Sequence, residues 1–209
     1  MTPTSTSSLQ RLLAEPHNLQ WQQISLPFET DNAAVALLPQ LPSLTAASFD
    51  ADCLSHFDFL QRLPNLSSVC CSSSRDGFDG QLADRLVAAL QHCANITELQ
   101  LICCRGLSAD HLTELLPRLP RLQSLTLHSL DIDSLGFLAQ PLTSQLTDLR
   151  LIYSTQLPVA ELRHVHELRG LKVLELWGSF TASLDERREL LYLPPSVLLP
   201  LLESFTYRA

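Results

Sequence analysis

An apolar residue, a second three places on and a third two places after that form a frame that returns along the chain. Its clearest copies are Ile96-Leu99-Leu101, Leu122-Leu125-Leu127, Leu146-Leu149-Leu151 and Leu171-Leu174-Leu176. Anchored on the first apolar position, the frame starts at Trp21, Leu41, Leu66, Ile96, Leu122, Leu146, Leu171 and Leu202, at intervals of 20, 25, 30, 26, 24, 25 and 31 residues. What precedes the starts supports this register. LPQLPSLTAASF, LPNLSSVCCSSS and LPRLQSLTLHSL each follow the same course, with a leucine three residues upstream of the anchor at Leu38, Leu63 and Leu119; Cys93 and Leu168 fill that slot in two other copies.

Positions four and six of the frame are two residues apart, the spacing that sends both side chains to one face of a strand. Position four reads Ile24, Leu44, Val69, Leu99, Leu125, Leu149, Leu174 and Phe205. Position six reads Leu26, Ala46, Cys71, Leu101, Leu127, Leu151, Leu176 and Tyr207, and neither column holds a charge. One short strand per repeat, stacked in parallel on the next, makes a long sheet lined inside by these columns. The return segments carry a helical period. Leu82, Leu86 and Leu90 recur every four residues, while Leu112, Leu115, Leu116 and Leu119, and again Leu162, Val165 and Leu168, each fit one helix face. Ser183-Leu184-Asp185-Glu186 reads as a capping box that opens a helix through Leu191, stopped by Pro194-Pro195. Residues 1–8 are Ser/Thr-rich and read as disordered, and Leu9, Leu12 and Leu13 form a short capping helix that ends at Pro16. The expectation is an α/β solenoid. Residues 1–20 supply the tail and cap, and residues 21–209 about eight repeats in a curved horseshoe with a parallel concave sheet and a mostly helical convex side.

Composition strengthens this picture and narrows the partners. Leucine supplies 47 of the 209 residues, which suits identical stacked layers better than one globular centre. The net charge is −8, with 13 Arg, one Lys and no basic run, so a nucleic-acid partner is not expected. The opening MTPTSTSSLQRLLAEP lacks the basic and apolar regions of a secretory signal, and no apolar stretch is long enough to span a bilayer. A cytosolic or nuclear protein with no membrane partner is expected. For such a protein the six cysteines (Cys53, Cys70, Cys71, Cys93, Cys103 and Cys104) read as reduced thiols.

Candidate chemistry is sparse. Cys53-x-x-His56, Cys70-Cys71, His92-Cys93 and Cys103-Cys104 hold enough ligands for zinc, but the frame spreads them over different sides of the layer, where they read as small buried hydrophobes. His164 and His166 splay apart on a helix and read as solvated. Asp76-Gly77-Phe78-Asp79-Gly80 lacks the third carboxylate and distal Glu of a calcium loop and reads as a turn. There is no GxSxG, P-loop or GxGxxG, and nothing in the linear order marks a Ser/His/Asp triad. No catalytic residue, metal or cofactor is expected.

With the frame and repeat length in hand, roughly residues 20–209 resemble the cysteine-containing leucine-rich repeats of F-box/leucine-rich-repeat proteins, and more loosely the ribonuclease-inhibitor type. The resemblance implies a ladder of Cys or Asn at position nine. Here that column reads Glu29, Phe49, Ser74, Cys104, Leu130, Ser154 and Ser179: Cys104 matches, the serines can bond similarly, and Leu130 and Phe49 break the ladder. The family's F-box needs more helix than the twenty residues that precede Trp21 can form. What the resemblance implies is a relative without an F-box that recognises a protein substrate.

The outward strand positions, three, five and seven, locate the expected surface. In the first three repeats they are small and polar, as in Gln23, Ser25, Ser43, Thr45, Ser68 and Ser72. Position seven then becomes Ile102, His128, Ile152 and Trp177 in four consecutive repeats, with Tyr153 next in line and Asp148, Arg150 and Glu175 alongside. Strands about 4.8 Å apart would make these a continuous exposed ridge with the make-up of a binding hot spot. The competing reading is that the loops Ser72–Gly80 and Ser179–Ser183 pack over it. The expected function is a non-enzymatic interaction module that binds a protein partner on the concave face. The alternatives are a structural subunit of a larger assembly, or a truncated relative without activity.

Overall fold

The structure is a computed structural model, and it describes residues 22–26, 35–38, 41–54, 56–73, 78–139, 145–153, 157–178, 180–181 and 201–208. The chain supplies ten strands within these residues: β1 (Gln23–Leu26), β2 (Ala46–Asp50), β3 (Ser68–Ser72), β4 (Glu98–Ile102), β5 (Ser124–His128), β6 (Asp148–Ile152), β7 (Leu157–Pro158), β8 (Val173–Trp177), β9 (Phe180–Thr181) and β10 (Ser204–Arg208). One eight-stranded sheet runs in the order β1-β2-β3-β4-β5-β6-β8-β10, and every neighbouring pair in it is parallel. The short β7 and β9 pair with each other. An all-parallel sheet normally buries both faces and reads as continuous apolar runs. Here burial alternates along β3, β4, β6 and β8, so one face is packed and the other is open.

The packed face is the expected pair of columns, with one correction. Ala47 pairs with Val69 and Phe49 with Cys71, so the second repeat is anchored on Leu44 and not on Leu41. The turn ahead of each strand shows why. In the third repeat Leu63 donates its N–H to Leu60 and Leu66 donates to Leu63; Leu119 and Leu122 repeat this with Leu116 and Leu119. The same bonds join Leu41 to Leu38 and Leu44 to Leu41, which puts Leu41 in the upstream slot. Leu38, Leu41 and Leu44 are equally spaced, so the sequence offers two registers. Phe49 decides between them: in position six it is buried, with its ring centroid 5.8 Å from Phe57 and 5.6 Å from Phe59. Phe49 therefore leaves position nine, where Asp52 now stands and accepts a hydrogen bond from Ser73. Ser43 and Thr45 likewise leave the outward positions for Ala46, Ser48 and Asp50.

The return side holds less α-helix than the periodicity implies. Two α-helices lie wholly within the described residues, α1 (Gly80–Leu90) and α2 (Ala109–Leu115). In α1 the Asp79 carboxylate caps the Leu82 N–H, and Ala83, Leu86, Val87, Ala89 and Leu90 are buried. Ala51–Cys53, Leu60–Arg62, Leu116–Arg118, Gly136–Ala139 and Val159–Glu167 are 3-10 turns. Leu162, Val165 and Leu168 are spaced by three with no fourth-residue partner, and three residues per turn is the 3-10 period, so they line up along one edge of the 3-10 segment. The expected cap at Leu9–Leu13 and the helix at Ser183–Leu191 lie outside the described residues.

Two backbone ladders fix the register between layers. At the head of each strand, the carbonyl of position two accepts two N–H groups from the next repeat: Ser67 O takes Thr97 N and Glu98 N, and Gln123 O takes Thr147 N and Asp148 N. The hydroxyls of Thr45, Ser67, Thr97 and Thr147 donate to the carbonyls of Gln22, Thr45, Ser67 and Gln123, so the side-chain ladder of this chain sits at position two. At the tail, Cys103, Ser129 and Tyr153 donate their N–H groups to the carbonyls of His128, Ile152 and Trp177, at 2.7 Å each. Position nine contributes differently: Cys104 is buried with its sulfur 3.6 Å from the Cys71 carbonyl, and Leu130 is simply core.

On the return side Glu161 ties two repeats together. One carboxylate oxygen accepts the Leu135 N–H and the Ser134 hydroxyl, each at 2.9 Å. The hydrogen bond from Leu135 is the main reason its pKa is lowered; Ser134, His164 and Arg163 act in the same direction, and partial burial opposes them. A lowered folded-state pKa stabilises the protein at pH above the ordinary carboxylate value, and this contribution is lost as pH falls through the folded value. Glu161→Ala is therefore expected to lower Tm at pH 7 and to flatten the acid limb of a stability-pH curve; an unchanged acid limb would remove Glu161 from this role. In the sheet itself, Leu149→Asp puts an unpaired charge into the shared interior and costs several kcal/mol. Loss of the cooperative melting transition by circular dichroism is expected, and retention of it would place Leu149 outside the core.

Candidate functional site

The open face derives its character from which residues occupy positions three, five and seven of each strand. Pairing sets Ile102 beside His128, His128 beside Ile152 and Ile152 beside Trp177, so the four expected position-seven residues do form one row across β4, β5, β6 and β8. The tail ladder holds the row, because all four of its carbonyls accept N–H groups from the preceding repeat, Ile102 from Ser73 and the other three from Cys103, Ser129 and Tyr153. All four side chains are half-buried, so the row is less exposed than its composition implies. Tyr153 is the exception, at 48% exposed.

Tyr153 owes its placement to backbone geometry. Position eight of four successive repeats adopts a left-handed conformation: Cys103 at φ 58°, Ser129 at 54°, Tyr153 at 52° and Gly178 at 57°. For a bulky residue such as tyrosine this is uncommon. It turns the Tyr153 ring back onto the row, 5.7 Å from the His128 ring and tilted 52° to it. The absence of a side chain at Gly178 makes room for the ring; a Cβ there would lie 2.8 Å from Tyr153 Cδ1.

Asp148, Arg150 and Glu175 converge beside the row. Arg150 Nε lies 3.1 Å from Asp148 Oδ1 and Arg150 Nη2 3.2 Å from Asp148 Oδ2, with Glu175 Oε2 3.8 Å from Nε. Thr126, flanked in register by Gln100 and Arg150, is buried although it faces outward. The eight expected site residues thus share one face: Ile102, His128, Ile152 and Trp177 in the row, Tyr153 over it, and Asp148, Arg150 and Glu175 next to it.

The other half of the open face is a feature the repeat frame does not reveal. Small residues at positions three and five of β1 to β3, including Ser25, Ala46, Ser48, Ser68 and Cys70, leave a hollow of about 500 Å³ walled on its β4 side by Glu98 and Gln100. Glu98 is fixed in place, accepting from Ser68 Oγ at 3.0 Å and from Gln100 Nε2 at 2.7 Å. Burial pushes the Cys70 thiol above its ordinary pKa, against a hydrogen bond from Ser48 and with reinforcement from Cys104 and Glu98, so it stays protonated at neutral pH. The signal was present in the column of short side chains, but only the corrected second repeat places Ala46 and Ser48 in it.

The remaining candidates resolve into structure. Cys71 and Cys104, expected on different sides of the layer, meet with sulfurs 3.9 Å apart and are both buried. Burial raises the Cys93 thiol to about 11. Among the described residues no three His, Cys, Asp or Glu side chains gather as a metal site would need. The two histidines expected in solvent are partly buried: His164 lies 3.7 Å from Glu161, and burial lowers the pKa of His166. A serine, a histidine and an aspartate do come together on the return side, with Ser108 Oγ 2.8 Å from His111 Nδ1 and His111 Nε2 3.0 Å from Asp84 Oδ1. Their arrangement is a capping box. The Ser108 N–H donates to His111 Nδ1 and Ser108 Oγ accepts from the His111 N–H, so both groups serve the first turn of α2 and Asp84 ties it to α1. Among the described residues no helix is long and apolar enough to cross a membrane.

The Gly178 position gives a direct check on how the row is built. Gly178→Ala is expected to cost about 1–2 kcal/mol from the left-handed backbone alone, and to shift the His128 imidazole resonances as Tyr153 is displaced. Unchanged Tm and unchanged His128 resonances would show that the ring does not depend on the missing side chain.

No family model matches the chain, and no curated protein matches it. Among solved structures, the chain is similar to one from the Rad7 and Elc1 complex in yeast, at 18% identity and a TM-score of 0.66, covering 97% of this chain and 52% of that one. It therefore spans about half the length of that relative. Weaker similarities are to two proteins of Listeria monocytogenes. The functional domain of InlJ shares 18% identity at a TM-score of 0.46, over 78% of this chain and 32% of that one; the internalin InlF shares 17% at 0.41, over 96% and 63%. The likeness to the yeast structure, together with the repeated frame and the parallel sheet, establishes the fold: the chain is an α/β leucine-rich repeat solenoid.

Proposed function

We propose that this chain is a non-enzymatic protein-interaction module that holds a protein partner on its concave face, along the Ile102–His128–Ile152–Trp177 row and the Tyr153 ring. The observation that carries this reading is the row itself. Four apolar or aromatic side chains in strand register are backed by a fixed backbone, rimmed by Asp148, Arg150 and Glu175, and crowned by a half-exposed tyrosine. Aromatic anchors ringed by charge are the usual make-up of an interface centre. The similar yeast structure was itself solved as a complex of two proteins, which agrees with this use of the fold. We further propose a substrate-recognition role like that of F-box/leucine-rich-repeat proteins, in the cytosol or nucleus, with no nucleic-acid or membrane partner and no cofactor. The capping roles of Ser108, His111 and Asp84 support the non-enzymatic reading, since they account for the most triad-like contact in the fold.

A second reading has its own observation. On β10, Phe205 occupies an inward column position yet is 42% exposed, and nearby Leu201 is 53% exposed. Apolar surface of this kind favours a structural subunit of a larger assembly, covered by a permanent neighbour.

Affinity purification from the native cell, comparing wild type with Trp177→Ala/Ile152→Ala, separates the two. A recognition module loses a specific partner in the double variant, with Tm changed by only a few degrees. A structural subunit keeps its partners in the double variant, and aggregates when expressed alone. Equal thermal destabilisation by Trp177→Ala and Leu149→Ala would make Trp177 a core residue and overturn the row as a site.

A further inference from the structure

The hollow over β1 to β4 adds a second element to the concave face, and its chemistry is one-sided. Its walls are formed by short neutral side chains, chiefly Ser25, Ser48, Ser68 and Cys70, with Gln100 beside them; Glu98 is the one carboxylate among the residues that line it, and no basic residue is among them. Elsewhere on the same face the carboxylates of Asp148 and Glu175 are answered by Arg150. Among the described residues no cation lies within ion-pair distance of Glu98. Its donors are the neutral Ser68 hydroxyl and Gln100 amide, which set the orientation of the carboxylate without cancelling its charge. Each carboxylate oxygen has a second lone pair available to an incoming N–H. The position is held before any ligand arrives, which removes part of the ordering cost of binding.

We propose that this hollow is a specificity pocket for a lysine or arginine side chain of the protein partner, with Glu98 as its counter-charge. The inference rests on the concave-face reading above and names the chemistry of the bound segment: an extended stretch that puts a basic side chain into the hollow and apolar side chains on the row. The charge complementarity is local, at Glu98, and also global, since a net charge of −8 draws a basic segment toward the chain. The volume of about 500 Å³ is large enough to take a whole side chain together with its flanking backbone.

The test uses the full chain and phage-displayed random linear decapeptides, counterselected on bare matrix. The selected consensus peptide is then titrated by fluorescence anisotropy against wild type, Glu98→Gln, Ser48→Arg and Trp177→Ala. The expected consensus carries a lysine or arginine at one fixed position, and its affinity falls about ten-fold in Glu98→Gln. Ser48→Arg, which supplies the chain's own guanidinium to the hollow, abolishes binding. A peptide with the basic residue replaced by glutamine binds wild type and Glu98→Gln alike. A consensus without a basic residue, a failure to select any peptide, or full affinity in Glu98→Gln overturns the proposal. The row and the hollow fail separately: loss of affinity in Glu98→Gln but not in Trp177→Ala rejects the row alone, and the reverse rejects the hollow alone.

Discussion

Everything on the open face depends on the carbonyl ladders that lock one repeat to the next. A position-two carbonyl that accepts two backbone N–H groups and, in four repeats, a hydroxyl leaves no freedom for a strand to slide along its neighbour. A slip of one residue would turn every leucine of the packed columns outward, so the apolar interior and the ladder enforce the same register. The consequence for the surface is direct. Side chains separated by about two dozen residues in sequence are brought to adjacent strands, with positions fixed by backbone bonds.

The tail of each strand adds a second constraint. Left-handed backbone at Cys103, Ser129, Tyr153 and Gly178 turns the chain out of the sheet at the same point in four repeats. Each such residue other than glycine carries a steric cost and donates its N–H to the next repeat. Tyr153 shows the two effects meeting. Its ring covers the row only because the next repeat has glycine in the same position.

Much of this was legible in the sequence, and the exceptions have physical causes. Outside the second repeat, where it fits two registers, the frame gave the strands of the sheet, their parallel order and the neighbours of Ile102, His128, Ile152 and Trp177, since a period-two pattern repeated so often leaves little choice. Exposure was not legible, because it depends on what packs beside a strand; the row is half-buried and Thr126 is 9% exposed. The spacing of Leu162, Val165 and Leu168 fits both helix types, and the absence of a fourth-residue partner was the clue to the 3-10 form. The resemblance implies a ladder at position nine, whereas the hydroxyls that bond between layers stand in a serine and threonine column at position two. Glu98 gave no sign in sequence, because a strand glutamate becomes notable only when its neighbours are too short to shield it.

The second repeat carries a further consequence. Leu38, Leu41 and Leu44 present the same side chain every three residues, so a slip by three keeps the anchor and the slot upstream of it filled by leucine. What changes are the occupants of positions four and six, Leu44 and Ala46 in one setting, Ala47 and Phe49, packed against Phe57 and Phe59, in the other. Phe49 works as the pawl of a ratchet whose teeth are identical. Remove it, and the balance tips: Leu44 fills position four with more apolar surface than Ala47 does, so the segment is drawn toward the other threading, three residues out of step. Three-residue insertions and deletions would be accommodated more readily there than elsewhere in the chain, which makes this repeat the natural place for the solenoid to change length.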